Sequence, residues 1–355
     1  MKYIGLNQWK SNEFFYDFCY SVKNNTYDKI IYFGQCEYEY YGDHNFKYIN
    51  EELCKSKNQP LHVITAGVKW NTSWFNPKVA FVKTDNMVLH KWGTFWFTKT
   101  FVDLVRANTR GITDNDNFNY SHHFISMNNR LHMHRCLFID LLAKNDLIKH
   151  GAISVHLTEI KKLGENKERI TKYPWKYFTP VDLTLDTQYI TKRDQWVLPI
   201  QYYNSFLQVV CETADNGIFL TEKTAIPLIV GKPFIVASEP EFYKFLTDLG
   251  FQLYDEIFDY SFDAIADRET RYSMMLENVI RISKLSKDEL PKLYQKIKHK
   301  LEFNKAMAKK IILDETMIPD IVKEVFEHYE KTNEVVDPDL ISTLTGLKEH
   351  KYFNY

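Results

Sequence analysis

Short apolar runs separated by polar, turn-rich stretches pattern the first third of the chain. Lys29–Phe33 runs into Gly34, Leu61–Thr65 runs into Ala66-Gly67, and Val79–Val82 follows Pro77. Runs of this length bounded by turn residues predict strands covered on both faces. Glu13–Val22 and Trp96–Val105 carry helical spacing between or after them, and the alternation predicts an open α/β sheet. A polar, unpatterned stretch within Arg110–Tyr120 predicts a hinge. Beyond it the pattern predicts a strand over His123–Ser126, a polar loop over Met127–Leu131 and a helix over His132–Asn145, with Gly151 ending that unit. In the helix Cys136, Ile139, Leu142 and Ala143 share one face.

Gly164–Gln195 is rich in Lys, Tyr and Thr and reads as a loop-like insertion. Ser205–Cys211 is a strand ending at Glu212, Thr221 opens a helix that Gly231 closes, and Pro233–Ala237 is the next buried strand. Phe242–Leu249, Asp263–Ser283, Asp288–Lys310 and Met317–Glu330 predict amphipathic helices. The expected organisation is a domain over 1–118, a second over 119–335 and a polar tail over 336–355.

Composition narrows the class. A chain of 355 residues exceeds one ordinary core and suits two domains. Apolar content of 45% and charged content of 26% fit a globular protein. The formal net charge of −1 excludes binding to nucleic acid driven by overall charge. Cys19, Cys36, Cys54, Cys136 and Cys211 form no CxxC pair, which predicts free thiols in a reducing compartment. With no signal-like apolar run at the start and no stretch near the ~20 residues of a membrane helix, the expectation is a cytoplasmic protein without a transmembrane segment.

The sharpest local chemistry lies between Cys211 and Lys223. A strand ends, a Gly-containing loop follows, and a helix starts behind Thr221, a natural N-cap. In a parallel sheet that junction belongs to the ligand-binding edge. Unpaired first-turn N–H groups and the helix dipole favour an anion there. Lys223 adds charge for a diphosphate, Glu222 can accept from ribose hydroxyls, and Phe219 sits where a ring can stack on a base. The same residues also read as an ordinary capped helix start with a surface Glu-Lys pair.

This segment resembles the nucleotide-binding motif of the α1,3-fucosyltransferases: Phe-Glu-Asn-Ser, a short loop, then an aromatic, an aliphatic and Thr-Glu-Lys. Glu212 stands for the first Glu, Phe219 for the aromatic and Thr221-Glu222-Lys223 for the triplet, with Thr213 replacing the family Asn and Phe219 the usual Tyr. The run from Thr224 to Phe234 resembles a wider set of viral and bacterial glycosyltransferases. Phe124–Asn128 followed by Arg135 resembles the family's Ser-Asn…Arg stretch, with Arg130 as the competing arginine. Pro227, inside the helix, should kink or shorten it.

The resemblance spans about 121–240 and implies a GT-B architecture, two Rossmann-like domains facing across a cleft. It implies inverting transfer from a nucleotide diphosphate sugar, GDP- or UDP-linked, to a hydroxyl of a glycan. Asn128, Arg135, Glu212, Thr213, Phe219, Thr221, Glu222 and Lys223 would hold the sugar nucleotide, without cofactor or metal. A general base is required; Glu37 and Glu39 are the candidates, with Asp43 a third. Hydroxymethylated DNA is the alternative acceptor, and a non-catalytic nucleotide- or glycan-binding module the alternative class. A viral origin would place the protein in the host cytoplasm.

Other signals carry less. Asp114-Asn115-Asp116 imitates a manganese motif but lies among turn formers. His132-Met133-His134, with His122-His123, invites a metal reading, but residues two apart on a helix should not face one another. The Trp70, Trp74, Trp92 and Trp96 group reads as core packing, or as a stacking surface for an acceptor.

Overall fold

A computed structural model describes residues 2–7, 12–34, 60–65, 69–70, 87–106, 119–128, 131–155, 173–181, 183, 185, 198–212, 217–218 and 220–351. The chain forms two compact units, one of Met1–Val102 with Ile311–Tyr355, the other of Asp103–Lys310. The fold is mixed α/β with a four-stranded parallel sheet in each unit.

The first unit opens with β1 (Tyr3–Asn7), α1 (Asn12–Asn24), β2 (Lys29–Gly34), β3 (Leu61–Thr65) and β4 (Met87–Lys91), followed by α2 (Phe95–Arg106), which crosses into the second unit. Its strands lie in the order β1-β2-β3-β4. Alternation along a strand sends neighbours to opposite faces. Ile30, Leu61 and Val63 pack with Phe18, Cys19 and Val22 of α1 on one face. Tyr3, Lys29, His62 and His90 project from the other.

The second unit runs β5 (His122–Asn128), α3 (Met133–Lys144), β6 (Gly151–Val155), a short α4 (Ile200–Tyr203), β7 (Ser205–Cys211), α5 (Glu222–Val230), β8 (Phe234–Ala237), α6 (Phe242–Asp248), α7 (Arg268–Ser283) and α8 (Leu290–Leu313). Every residue of β7 and β8 is buried, as a sheet covered on both sides requires. Between β6 and α4, the Asp140 carboxylate of α3 accepts from the backbone N–H groups of Lys176, Tyr177 and Phe178 at 2.8–3.2 Å. This fastens the described part of the expected insertion to the helix.

Several expectations change. β5 extends through Met127 and Asn128, expected in a loop, because both continue the parallel register with β6. Gly151 begins a strand rather than ending a unit; a Cβ there would stand 2.3 Å from Phe124 Cε2. The helix expected from Asp263 starts at Arg268, since Asp267 caps it by accepting from Thr270 N at 2.9 Å.

The largest correction concerns the C-terminus. The domain boundary at 335 and the polar tail are replaced by α9 (Asp320–Thr332) and α10 (Pro338–Lys351), which belong to the first unit. Leu340, Ile341, Leu344 and Leu347 are buried. On α9, Glu324 pairs with Lys29 and the His328 ring lies 4.7 Å from Tyr3. The expected Val79–Val82 strand, Trp74 and most of the expected hinge lie outside the described residues. Trp92 is fully buried with its ring 5.0 Å from Phe95, so at that position the core reading holds.

Candidate functional site in the second unit

The second sheet has the order β8-β7-β5-β6. The chain moves from β5 to β6 on one side, then returns to place β7 and β8 on the other. The winding therefore reverses between β5 and β7, and in parallel sheets ligands bind beyond the carboxyl ends of the strands at such a switch point. Those ends are Asn128 and Cys211-Glu212, with α3 and α5 starting just after them.

Glu212 is 1% exposed. Its Oε2 accepts from Thr221 Oγ1 at 2.6 Å and its Oε1 from Thr224 Oγ1 at 2.5 Å. It therefore latches the end of β7 to the start of α5. The carboxylate is closed in and turned toward the helix. The Glu212 carbonyl in turn accepts from His134 Nε2 at 2.8 Å, which joins the start of α3 to the same strand end.

Thr221 performs the cap its position predicts, its Oγ1 accepting from Lys223 N at 3.2 Å. Gly231 closes α5 with φ of 71°, a left-handed conformation that glycine adopts without strain. Pro227 has no N–H to give the Lys223 carbonyl four residues earlier. Gln208 of β7 supplies the missing bond, donating from Nε2 to Lys223 O at 3.1 Å, and Tyr202 OH holds Gln208 Oε1 at 2.8 Å. The helix continues past Pro227 to Val230 and ends at Gly231, the span expected from its capping residues, so the proline does not shorten it. Near its far end the buried Lys232 donates to the carbonyls of Tyr202 and Ser205 and lies over the Tyr202 ring. Burial lowers the Lys232 pKa to about 7.

The tip of α5 is a charge cluster. Lys223 Nζ lies 2.6 Å from Glu222 Oε1, the two side chains 17% and 27% exposed. Burial alone would raise the Glu222 pKa, but Lys223 and, more weakly, Arg135 hold it below the ordinary carboxylate range. Arg135, on the first turn of α3, is 2% exposed. The tip thus gathers two cations and one anion.

Asn128 is fully buried at the end of β5. Its N–H donates to Ser154 Oγ at 2.9 Å and its Nδ2 to Ser126 Oγ at 3.1 Å, while Oδ1 is buried without a partner. Just past β8, Ser238 Oγ is likewise buried and unpartnered. Glu239 beside it lies 3.8 Å from Arg268 and 3.7 Å from Arg271, and Arg271 Nε donates to Ser238 O at 2.8 Å. Buried orphan polar atoms are rare in folded proteins and call for a water or a ligand. The ends of the strands flanking β7 each provide one.

Of the expected site residues, the structure brings Asn128, Arg135, Glu212, Thr221, Glu222 and Lys223 to one sheet edge. Thr213, Phe219, Glu37, Glu39, Asp43 and the competing Arg130 lie outside the described residues. His134, Gln208, Thr224 and Ser238 join the site without having been expected; the proline inside a helix is the one signal that could have prompted a search for Gln208. His132 and His134 do meet, their rings stacked at 5.8 Å. The helical-spacing argument against that contact fails because His132 is the extended N-cap residue, ahead of the first helical turn.

No family model, no curated protein and no solved structure matches the chain.

Proposed function

We propose that the protein is an inverting glycosyltransferase of GT-B type that moves a sugar from a nucleotide diphosphate sugar to a hydroxyl of a glycan. The observation that carries the reading is the convergence of Lys223, Arg135 and the capped tip of α5 at a switch point between β5 and β7. Dinucleotides and nucleotides bind at such crevices because helix N-termini there offer unpaired N–H groups to phosphate.

Each residue then has a role set by its chemistry. Lys223, the α5 amides and Arg135 stabilise charge on the departing diphosphate, as fixed dipoles and cations do in a water-poor site. The arginine suits paired phosphate oxygens through its planar fork. Glu212 and Gln208 fix where that tip stands, one through the cap and the other through the carbonyl that Pro227 leaves open. Glu222 is placed to accept from ribose hydroxyls. The acceptor's proton goes to a carboxylate, for which Glu37 and Glu39 remain the candidates from sequence. The scheme routes no step through a metal.

The test is a thermal-shift panel of GDP-, UDP- and CMP-linked sugars. At least one should raise the melting temperature with saturable dependence on concentration, as a ligand selective for the folded state must. A flat response to every member removes the reading.

A further inference from the structure

Glu222 pairs with Lys223 and lies within electrostatic reach of Arg135, the two cations on which the proposed phosphate site depends. Adjacent residues on a helix do not face each other. The 2.6 Å contact between Glu222 Oε1 and Lys223 Nζ therefore requires the lysine stem to turn back over the helix tip rather than extend into solvent. Arg135 acts on the same carboxylate, and the two cations outweigh its burial to keep it ionised through neutral pH. The positive tip carries a fixed negative charge of its own. Asn128 Oδ1 and Ser238 Oγ are buried without partners at the ends of the strands flanking β7, and such atoms call for a water or a ligand.

Resting on the function proposed above, we propose that Glu222 is the site's internal counter-ion and sets its selectivity against bare phosphate anions. With no ligand bound, it holds Lys223 and Arg135 in position. When an anion arrives, Glu222 competes for both cations and repels the incoming charge at close range. Free phosphate or pyrophosphate has nothing else with which to offset that repulsion. A phosphate esterified to a larger molecule does, through contacts made by the rest of the molecule. Selectivity built from a repulsive element of this kind is a common device in recognition sites.

The experiment titrates inorganic pyrophosphate calorimetrically into the full chain, as wild type, Glu222→Gln and Glu222→Asp. Glu222→Gln should bind pyrophosphate about tenfold or more tightly than wild type, the effect of removing one nearby like charge from a partly buried site. Glu222→Asp, which keeps the charge, should stay near wild type, and adding Lys223→Ala to Glu222→Gln should erase the gain. Because the glutamine variant removes a negative charge beside Lys223 and Arg135, melting temperature gives a second readout: pyrophosphate should raise it more in Glu222→Gln than in wild type. Unchanged or weaker binding, or equal thermal increments, overturns the proposal. If nucleotide sugars bind wild type and Glu222→Gln shows no gain, the counter-ion role fails while the transferase reading stands. If no nucleotide sugar binds but the gain appears, the transferase reading fails and the counter-ion role survives.

Discussion

The two units use the same materials to different ends. Both hold four parallel strands, yet the first is wound in one direction, β1-β2-β3-β4, and the second reverses, β8-β7-β5-β6. Only the reversal leaves two neighbouring strands whose following connections depart to opposite sides, and so opens a crevice between helix starts. The polar residues follow that difference. In the second unit Glu212, Thr221, Lys223 and Arg135 gather at the strand ends. In the first, Tyr3, Lys29, His62 and His90 lie on one sheet face, where Glu324 and His328 of α9 meet Lys29 and Tyr3. Polar groups at a switch point stand at the edge where parallel sheets bind their ligands. Polar groups under a helix hold the helix.

The largest expected effect that sharpens this contrast comes from the latch. Glu212→Ala strands the buried hydroxyls of Thr221 and Thr224, and hydrogen bonds to charged acceptors contribute about 1.5–3 kcal/mol each. Chemical denaturation should show a loss of about 3 kcal/mol, with binding of any sugar nucleotide lost as well; Glu212→Gln, which keeps an acceptor, should lose about half as much.

Next is a change confined to the first unit. A Cβ on Gly5 would stand 2.7 Å from both Cγ1 and the backbone oxygen of Val336, and the backbone cannot yield as a side chain would. Gly5→Ala should destabilise the first unit by about 1–3 kcal/mol, the usual range for overpacking. Hydrogen exchange should show the loss in β1 and α9 while ligand binding at the α5 tip is kept. Loss of that binding would break the separation of roles argued above.

The smallest effect is a difference in pH response. His62 Nδ1 lies 3.0 Å from His90 Nε2, and burial, then His90 and Lys29, lowers the His62 pKa to about 4. The unfolded chain titrates this histidine near 6.5 and so binds more protons than the folded one between those values. The associated stability is complete above about pH 6.5 and is lost as pH falls towards 4. Lys232 follows the same sign in another window: its folded pKa of about 7 lies below its unfolded one, so its part of the stability rises from pH 7 to 10. Exchange protection in the first unit should therefore weaken as pH falls from about 6.5 towards 4, whereas the Lys232 part of the second unit's stability is already lost by about pH 7. Lys232→Met should flatten the alkaline rise, which is no steeper than ~1.4 kcal/mol per pH unit.

Much of the site was legible because its signals are local. Thr221 ahead of an apolar run, Gly231 at its end and Pro227 inside it define α5 from sequence alone, and Ser205–Cys211 is apolar enough to read as a buried strand. What escaped depends on partners distant in sequence. Met87–Lys91 mixes apolar residues with His and Lys, and becomes a strand by pairing with β3. The apolar positions of α10 are sparse among polar ones, and it belongs with the N-terminal residues of the first unit although the whole second unit separates them in sequence. Gln208 looks like any polar residue in a strand until Pro227 leaves a carbonyl for it to cap.

The central claim meets its most direct test in one titration. The nucleotide sugar giving the greatest thermal shift is titrated calorimetrically into wild type and into Lys223→Glu, a variant whose melting temperature without ligand confirms that it is folded. Saturable binding to wild type and none to Lys223→Glu is the predicted result. Equal binding to both would show that phosphate is held elsewhere and would contradict the assignment of the α5 tip.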